Sequence, residues 1–275
     1  MQTQTRTIIA HKSEGFTLVE LLVVIAIIAL LMSILMPALA RVRKQAKNVI
    51  CLTNLRQWGS VFAMYAGDHD GYFMQGWWSD AETLEGDMWM DATRPYYKDG
   101  DFRCCPRATK TGTEVADYQW GGCGTFTAWG VFDGSWHPPA TPGDYGSYGM
   151  NGFLCNPPEY VTVIEDSPTS TFWRRADVKG AGGIPLFFDC QWVDARPREF
   201  DTPPDYNGQQ WGIDHYNQMN RICFNRHEGA IGIVFLDCSA KNIGLKSLWK
   251  QKWHRLYKLN AEPPVWPDWI EGFPD

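Results

Sequence analysis

Phe16 to Ala40 reads FTLVELLVVIAIIALLMSILMPALA, and this stretch decides the fold. Between Leu21 and Met36 its only polar side chain is Ser33. Coiled as a helix at about 1.5 Å per residue, it reaches about 37 Å, enough to cross a bilayer core of about 30 Å. A secretory signal peptide is the competing reading. The apolar run is longer than an ordinary signal, and Ala38-Leu39-Ala40 is only a weak cleavage site, so a membrane-spanning helix is expected instead. Ala26, Ala29, Ser33 and Pro37 form a small-residue stripe of the kind that lets helices approach closely in lipid. Pro37 has no N–H for the Ser33 carbonyl, so a kink or loosening is expected there. Glu20 stands out as a carboxylate four positions into the run, which is costly in lipid unless it is paired or reaches the interface.

Gly15-Phe16-Thr17-Leu18-Val19-Glu20, followed by the apolar helix and Pro37, resembles the N-terminus of type IV pilin-like proteins, including type II secretion pseudopilins. The resemblance implies that residues 1 to 15 are a leader removed by a prepilin peptidase. The cut falls between Gly15 and Phe16, and the new N-terminal Phe16 is methylated. The amine so created stays cationic, and Glu20 of one subunit would pair with it on the next and set axial register, an assembly role shared with Pro37. The implied partners are other pilin or pseudopilin subunits, an assembly platform and its ATPase. The implied location is the bacterial inner membrane, single-pass, with the head in the periplasm or on an extracellular filament. The charge rule for membrane orientation points the other way: Arg41, Arg43, Lys44 and Lys47 outnumber Arg6 and Lys12 of the leader. The family's orientation, with the leader cytoplasmic, is the one expected here.

Working outward, Val42, Ala46, Val49, Leu52, Leu55, Trp58, Phe62 and Tyr65 recur at helical spacing, so the helix is expected to continue over 41–66 as an amphipathic extension. Phe16 to Ala66 would then be a rod of roughly 75 Å. Gly67-Asp68-His69-Asp70-Gly71 ends it; the stretch has too few acids for a calcium loop. A globular head is expected over 67–260. Within it 72–182 reads as a loop-rich insertion with a short strand at Tyr160–Ile164. Firmer strands are expected at Ile184–Phe188, Arg221–His227 and Ile231–Leu236. Leu245, Leu248, Trp249, Trp253, Leu256 and Leu259 mark an amphipathic C-terminal helix, and residues 261–275 form a Pro- and Trp-rich tail on the head surface. The fold class is therefore α+β: a long N-terminal helix packed on a small antiparallel sheet, with a loop-rich insertion and a C-terminal helix.

A second resemblance lies toward the C-terminus. His227, nine residues, then Asp237 is similar to the H-x9-D-G signature of a branch of large pseudopilin-like proteins, with Cys238 in place of the Gly. Cys51-Leu52-Thr53-Asn54-Leu55-Arg56-Gln57 and Leu248–Arg255 (LWKQKWHR) also resemble that branch. Losing the Gly puts the turn after Asp237 in question, since glycine suits a tight hairpin with positive φ.

The net charge is −6, and from Val49 onward 19 basic residues face 29 acidic ones, giving −10. An acidic body beyond a basic neck does not suit nucleic acid, so no nucleic-acid partner is expected. The eight cysteines are plausible disulfide partners in an exported head. Cys190 with Cys238 is the first pair expected, because FFDC and FLDC look like equivalent strand ends. Cys51 is expected to staple the helix to Cys104 or Cys105. Without Cys-x2-Cys, a zinc ribbon is not expected. Asp189, Asp237, Asp214 with His215, and His227 offer ligands for a metal, calcium being the one considered, but they do not make a full calcium set, so no cofactor is the expectation and calcium the alternative. No nucleophile elbow, P-loop or H-E-x-x-H occurs, so no catalytic residues and no enzymatic activity are expected. Trp77, Trp78, Trp120, Trp129, Trp136 and Trp211 could form an aromatic binding platform, but core filling is the better expectation for such large aromatics. The reading is a pilin-like structural subunit of a type II secretion or pilus-like filament. Its rival is a membrane-tethered extracytoplasmic binding or adhesion protein with the same leader.

Overall fold

The computed structural model describes residues 17–76, 78–79, 84–85, 88–98, 100–109, 111, 124–132, 143–164, 166–209, 217–259 and 262–274. The chain divides into two units, Met1–Ala46 and Lys47–Asp275. Helix α1 spans Leu18–Asp68. In the first unit every described residue is exposed, and the helix passes through Pro37 without a break. Its apolar part is long enough to cross a membrane.

In the second unit α1 buries Cys51, Asn54, Leu55, Trp58, Gly59, Phe62, Tyr65 and Ala66, the three- and four-residue spacing of a helix with one face in a core. The buried face is turned slightly from the expected stripe: Val49 is exposed and Leu52 half-buried, whereas Cys51 and Gly59 face inward. Small residues on that face let the sheet come close. The helix ends as the local sequence dictates. Asp70 (φ 54°) and Gly71 (φ 81°) take the left-handed conformation, and the Gly71 N–H returns 2.7 Å to the Ala66 carbonyl.

The main sheet has five strands: β1 (Tyr148–Asn151), β2 (Pro185–Asp189), β3 (Asp194–Ala195), β4 (Ala230–Phe235) and β5 (Ala240–Gly244). Their order is β5-β4-β2-β1-β3. All neighbours are antiparallel except β1 and β3. Pro185 is tolerated because it is the first residue of its strand. Three further antiparallel ribbons have two residues a side: Trp78–Ser79 with Leu84–Glu85, Trp129–Gly130 with Tyr145–Gly146, and Val163–Ile164 with Ser167–Pro168. Trp58 is the hub between helix and sheet. Its ring centroid lies 4.8–5.2 Å from those of Trp89, Tyr97, Phe102 and Phe187.

Three expectations need correction. Residues 72–182 are more than an insertion: they supply β1, beside the central β2, and core side chains such as Trp89, Trp129 and Phe153. Arg221–His227 is not a strand. Gln218–Arg221 is a 3-10 helix, and tight turns follow, with Cys223 N–H on Met219 O and Arg226 N–H on Phe224 O. Leu245–Leu259 is not an α-helix. A 3-10 helix covers Leu245–Lys250, and then backbone donors turn to distant partners: Lys252 N–H to Gly183 O and Arg255 N–H to Thr171 O. That path carries Trp253 into the core, where its indole donates to Leu248 O. The C-terminal helix is instead α2 (Asp268–Glu271), whose Ile270 is fully buried.

Candidate functional site

Four side chains from four separate segments meet inside the head. Cys51 comes from the buried face of α1, and Asp189 is the last residue of β2. Cys105 follows the 3-10 turn Gly100–Arg103, with its N–H held 2.7 Å from Ser147 Oγ. His227 lies in the turn before β4, its N–H on Ala230 O. That turn lets two neighbours, Arg226 and His227, both reach Asp189, which alternation along a strand would forbid. Arg226 Nη1 is 2.9 Å from Asp189 Oδ1, and His227 Nε2 is 3.1 Å from Oδ2. His227 Nε2 is also 3.4 Å from Cys105 Sγ, and Cys51 Sγ lies 3.8 and 3.9 Å from the two Asp189 oxygens. The Tyr148 hydroxyl donates to Cys51 Sγ at 3.2 Å, and the Gly232 N–H to Asp189 Oδ2 at 2.7 Å. One ligand atom from each of Cys51, Cys105, Asp189 and His227 lies within 4.8 Å of all the others, and all four residues are buried. Such a set of thiols, imidazole and carboxylate is chemically able to hold a metal ion.

The electrostatics are those of a dry, charged knot. Burial pushes the Asp189 carboxyl up, but Arg226 and His227 outweigh it and hold it down at about 2. Burial pushes His227 down, but Asp189 and Cys105 raise it to about 9. Burial, hydrogen bonding to Cys105 and the Asp189 charge push the Cys51 thiol well up. Burial acts on Cys105 in the same sense, but hydrogen bonds from Cys51 and His227 and the charge of Arg226 overcome it and bring that thiol down. Arg226 is itself tied down by the carbonyls of Thr125 and Ser147, at 2.9 and 2.8 Å.

The other residues singled out in the sequence lie elsewhere. Asp237 is exposed in the turn between β4 and β5, where Oδ1 accepts from Ser239 N and Oγ. The H-x9-D spacing therefore brackets β4 and puts His227 and Asp237 at its opposite ends. Cys238, in the place of the signature glycine, has φ 63°, so the turn keeps the left-handed conformation without the glycine. Cys190 and Cys238 are not brought together. Both follow the C-terminal ends of strands, but β2 and β4 run antiparallel, with Phe188 opposite Ile233, so those ends point opposite ways. Both thiols are free, as are Cys51, Cys104 and Cys105. Of the six tryptophans considered for a platform, Trp129 is buried, with its indole on Tyr148 O; Trp78 lies in the two-residue strand Trp78–Ser79; Trp77, Trp120, Trp136 and Trp211 lie outside the described residues. Asp214 and His215 lie outside them too. Sequence reading names Asp189 and His227 as possible ligands and sets Cys51 beside Cys104 or Cys105; the structure brings Cys51 to Cys105, both as free thiols. What sequence reading misses is that the two thiols meet Asp189 and His227 at one point.

At the N-terminus, Gly15 and Phe16 lie outside the described residues. Glu20 accepts from Thr17 N at 2.9 Å and Thr17 Oγ1 at 2.7 Å, and its own N–H lies 3.3 Å from Thr17 Oγ1. This reciprocal pair is a capping box that fixes the start of α1. Pro37 is exposed on the same helix.

The prokaryotic N-terminal methylation motif matches residues 10–36. The type IV wide pilus major component PilA4 of Thermus thermophilus is 42% identical over 62 residues. That match takes in 22% of this chain, which spans about half (47%) of the relative's length. No solved structure matches the chain. A leader motif joined to an exposed apolar helix long enough to cross a membrane makes this chain similar to type IV pilin-like proteins with a prepilin-type leader.

Proposed function

We propose that the chain is a pseudopilin-type structural subunit rather than an enzyme. A prepilin peptidase cuts between Gly15 and Phe16 and methylates Phe16. The subunit waits in the bacterial inner membrane with its head outside the cytoplasm. A platform protein and ATPase then draw it, with other pilin or pseudopilin subunits, into a filament of the type II secretion or type IV pilus kind. The observation that carries this reading is the methylation motif over residues 10–36, running directly into a helix whose described residues up to 46 are all exposed. Exposed Leu, Ile and Val along that helix demand lipid or other apolar helices as partners. In the filament Glu20 of one subunit meets the Phe16 amine of the next and offsets its charge in lipid.

Intact-mass and N-terminal analysis of the protein from its native membrane tests the reading. The expected chain starts at Phe16 and carries one added methyl group. A chain still starting at Met1 would withdraw it in favour of a tethered binding protein. Cysteine crosslinking along the helix then checks assembly. Wild-type subunits should crosslink into ladders. Glu20→Ala should be cut normally but give monomers only, and normal ladders from it would remove Glu20 from the assembly step.

A further inference from the structure

We propose that Cys51, Cys105, Asp189 and His227 form a structural zinc site at the centre of the head. Three of the six edges between the four ligand atoms match those of a tetrahedral zinc site, and all four atoms lie within 4.8 Å of one another. With Zn–S of about 2.3 Å and Zn–N or Zn–O of about 2.0–2.2 Å, neighbouring ligand atoms sit about 3.4–3.8 Å apart. The observed separations are 3.1 Å (His227 Nε2 to Asp189 Oδ2), 3.4 Å (His227 Nε2 to Cys105 Sγ) and 3.8 Å (Cys51 Sγ to Asp189 Oδ2). Shifts of a few tenths of an ångström bring these three edges onto an ion, and the other three, none longer than 4.8 Å, close by about an ångström at most.

The ligand chemistry selects the metal. Two thiolates, an imidazole and a carboxylate suit a borderline-soft tetrahedral ion, whereas calcium and magnesium want oxygen alone. The charge closes as well. Two thiolates and one carboxylate bring three negative charges into a site without solvent. Zinc supplies two positive charges and Arg226 the third, so the desolvated knot is neutral with His227 uncharged. A buried cluster of unmatched charges would be prohibitively costly. Two of the four ligands, Asp189 and Cys51, are held by their surroundings. Arg226 and the Gly232 N–H orient the Asp189 carboxylate, and the Tyr148 hydroxyl donates to Cys51 Sγ. Four protein ligands, all buried, leave no open position for substrate, which makes the site structural rather than catalytic. It ties α1, the Cys105 loop, the end of β2 and the turn before β4 to one point. No two ligands are close in sequence, so no zinc-finger spacing announces it.

The competing chemistry is a disulfide between Cys51 and Cys105, two electrons more oxidised than the dithiol, and one experiment separates the two. The full-length protein is extracted in detergent without chelator. Its zinc is measured by elemental analysis, and its thiols are mapped by mass spectrometry after denaturing alkylation. Protein isolated with free thiols and no metal is titrated with Zn²⁺, and with Co²⁺ as a spectroscopic probe. The expected result is stoichiometric zinc, alkylatable Cys51 and Cys105, and a cobalt form with intense thiolate-to-metal charge-transfer bands and tetrahedral d–d bands. Cys105→Ser should reduce zinc to background, while Cys104→Ser, altering the neighbouring thiol outside the cluster, should keep it. X-ray absorption of the wild-type zinc should give two sulfur and two nitrogen or oxygen neighbours, a result that needs no variant to fold. A Cys51–Cys105 disulfide overturns the proposal. So do free thiols that take up neither Zn²⁺ nor Co²⁺ stoichiometrically, or zinc that persists in Cys105→Ser. The site stands or falls without reference to leader processing or filament assembly.

Discussion

Arg226 Nη1 stands 2.9 Å from Asp189 Oδ1, and neither side chain has exposed surface. Every strong contact of this arginine is internal: a carboxylate, the carbonyls of Thr125 and Ser147, and the Phe224 ring 4.5 Å below its guanidinium. Removing one partner of such a pair leaves the other charged in a dry site, which costs about 3–5 kcal/mol. Arg226→Met is therefore expected to destabilise the head by about that much in urea denaturation followed by tryptophan fluorescence. Arg226→Lys keeps the charge but not the fork that reaches two carbonyls and a carboxylate, and should lie between. A loss below about 1 kcal/mol for the methionine variant, the size of a surface pair, would show that Asp189 does not depend on Arg226.

Two glycines allow helix and sheet to touch, and their substitutions should differ. A Cβ on Gly232 of β4 would lie 2.7 Å from Leu55 Cδ1, 3.2 Å from Asp189 Oδ2 and 3.4 Å from Cys51 Sγ. It would press on the core and the buried cluster together. Gly232→Ala is expected to cost about 1–3 kcal/mol, the usual range for overpacking. A Cβ on Gly59 of α1 meets Val234 Cγ2 at 3.0 Å, a milder contact. In a helix, alanine also gains about 1 kcal/mol over glycine. Gly59→Ala should therefore be close to neutral. Equal losses for the two, read from the same denaturation curves, would mean that close approach at Gly232 is not what limits the packing.

Much of this was legible in the sequence, and the exceptions share a cause. The helix from Leu18 to Asp68 follows from an unbroken apolar run, then a three- and four-residue stripe, then Asp-Gly in the left-handed region. β2 and β4 follow from short runs of Phe, Ile and Val. What failed depended on distant partners. Leu245–Leu259 has helical periodicity, but only a 3-10 helix forms over Leu245–Lys250, and the Lys252 and Arg255 N–H groups beyond it bond Gly183 and Thr171. The FFDC and FLDC strand ends look equivalent, yet antiparallel pairing sends Cys190 and Cys238 to opposite ends of the sheet. The buried cluster draws single residues from positions 51, 105, 189 and 227, and local periodicity carries no signal of such a meeting.

Cys238 offers a direct check on the altered signature. Its φ of 63° places an L side chain in the left-handed region, which costs about 1–2 kcal/mol relative to glycine. Glycine returns part of that, about 0.5–1 kcal/mol, through the greater freedom of its unfolded chain. Cys238→Gly is therefore expected to stabilise the head by up to about 1 kcal/mol, seen as a higher melting temperature. The Cys238 N–H to Phe235 O bond of 2.9 Å shapes the turn in either case. A lower melting temperature would mean that the thiol contributes packing against α1 that outweighs the backbone strain.

Asp201 should give the head an unusual pH dependence. The side chain is buried, and burial raises its carboxyl to about 7, although the Arg198 N–H donates to Oδ2 at 3.0 Å and opposes the rise. The unfolded chain releases this proton near pH 3.9. Between about pH 4 and 7 the folded state thus holds a proton that the unfolded state has lost, and stability must fall as pH rises through that window, by about 1.4 kcal/mol for each pH unit crossed. The sign is opposite to that of Asp189, whose lowered carboxyl contributes stability lost only as pH falls toward 2. Asp201→Asn removes the titration while leaving an oxygen for the Arg198 N–H and the backbone carbonyl that receives the Trp249 indole at 2.8 Å. The difference in unfolding free energy between variant and wild type, measured from about pH 4.5 to 8, should grow in favour of the variant as pH rises. A flat difference would place the Asp201 carboxyl in the ordinary range.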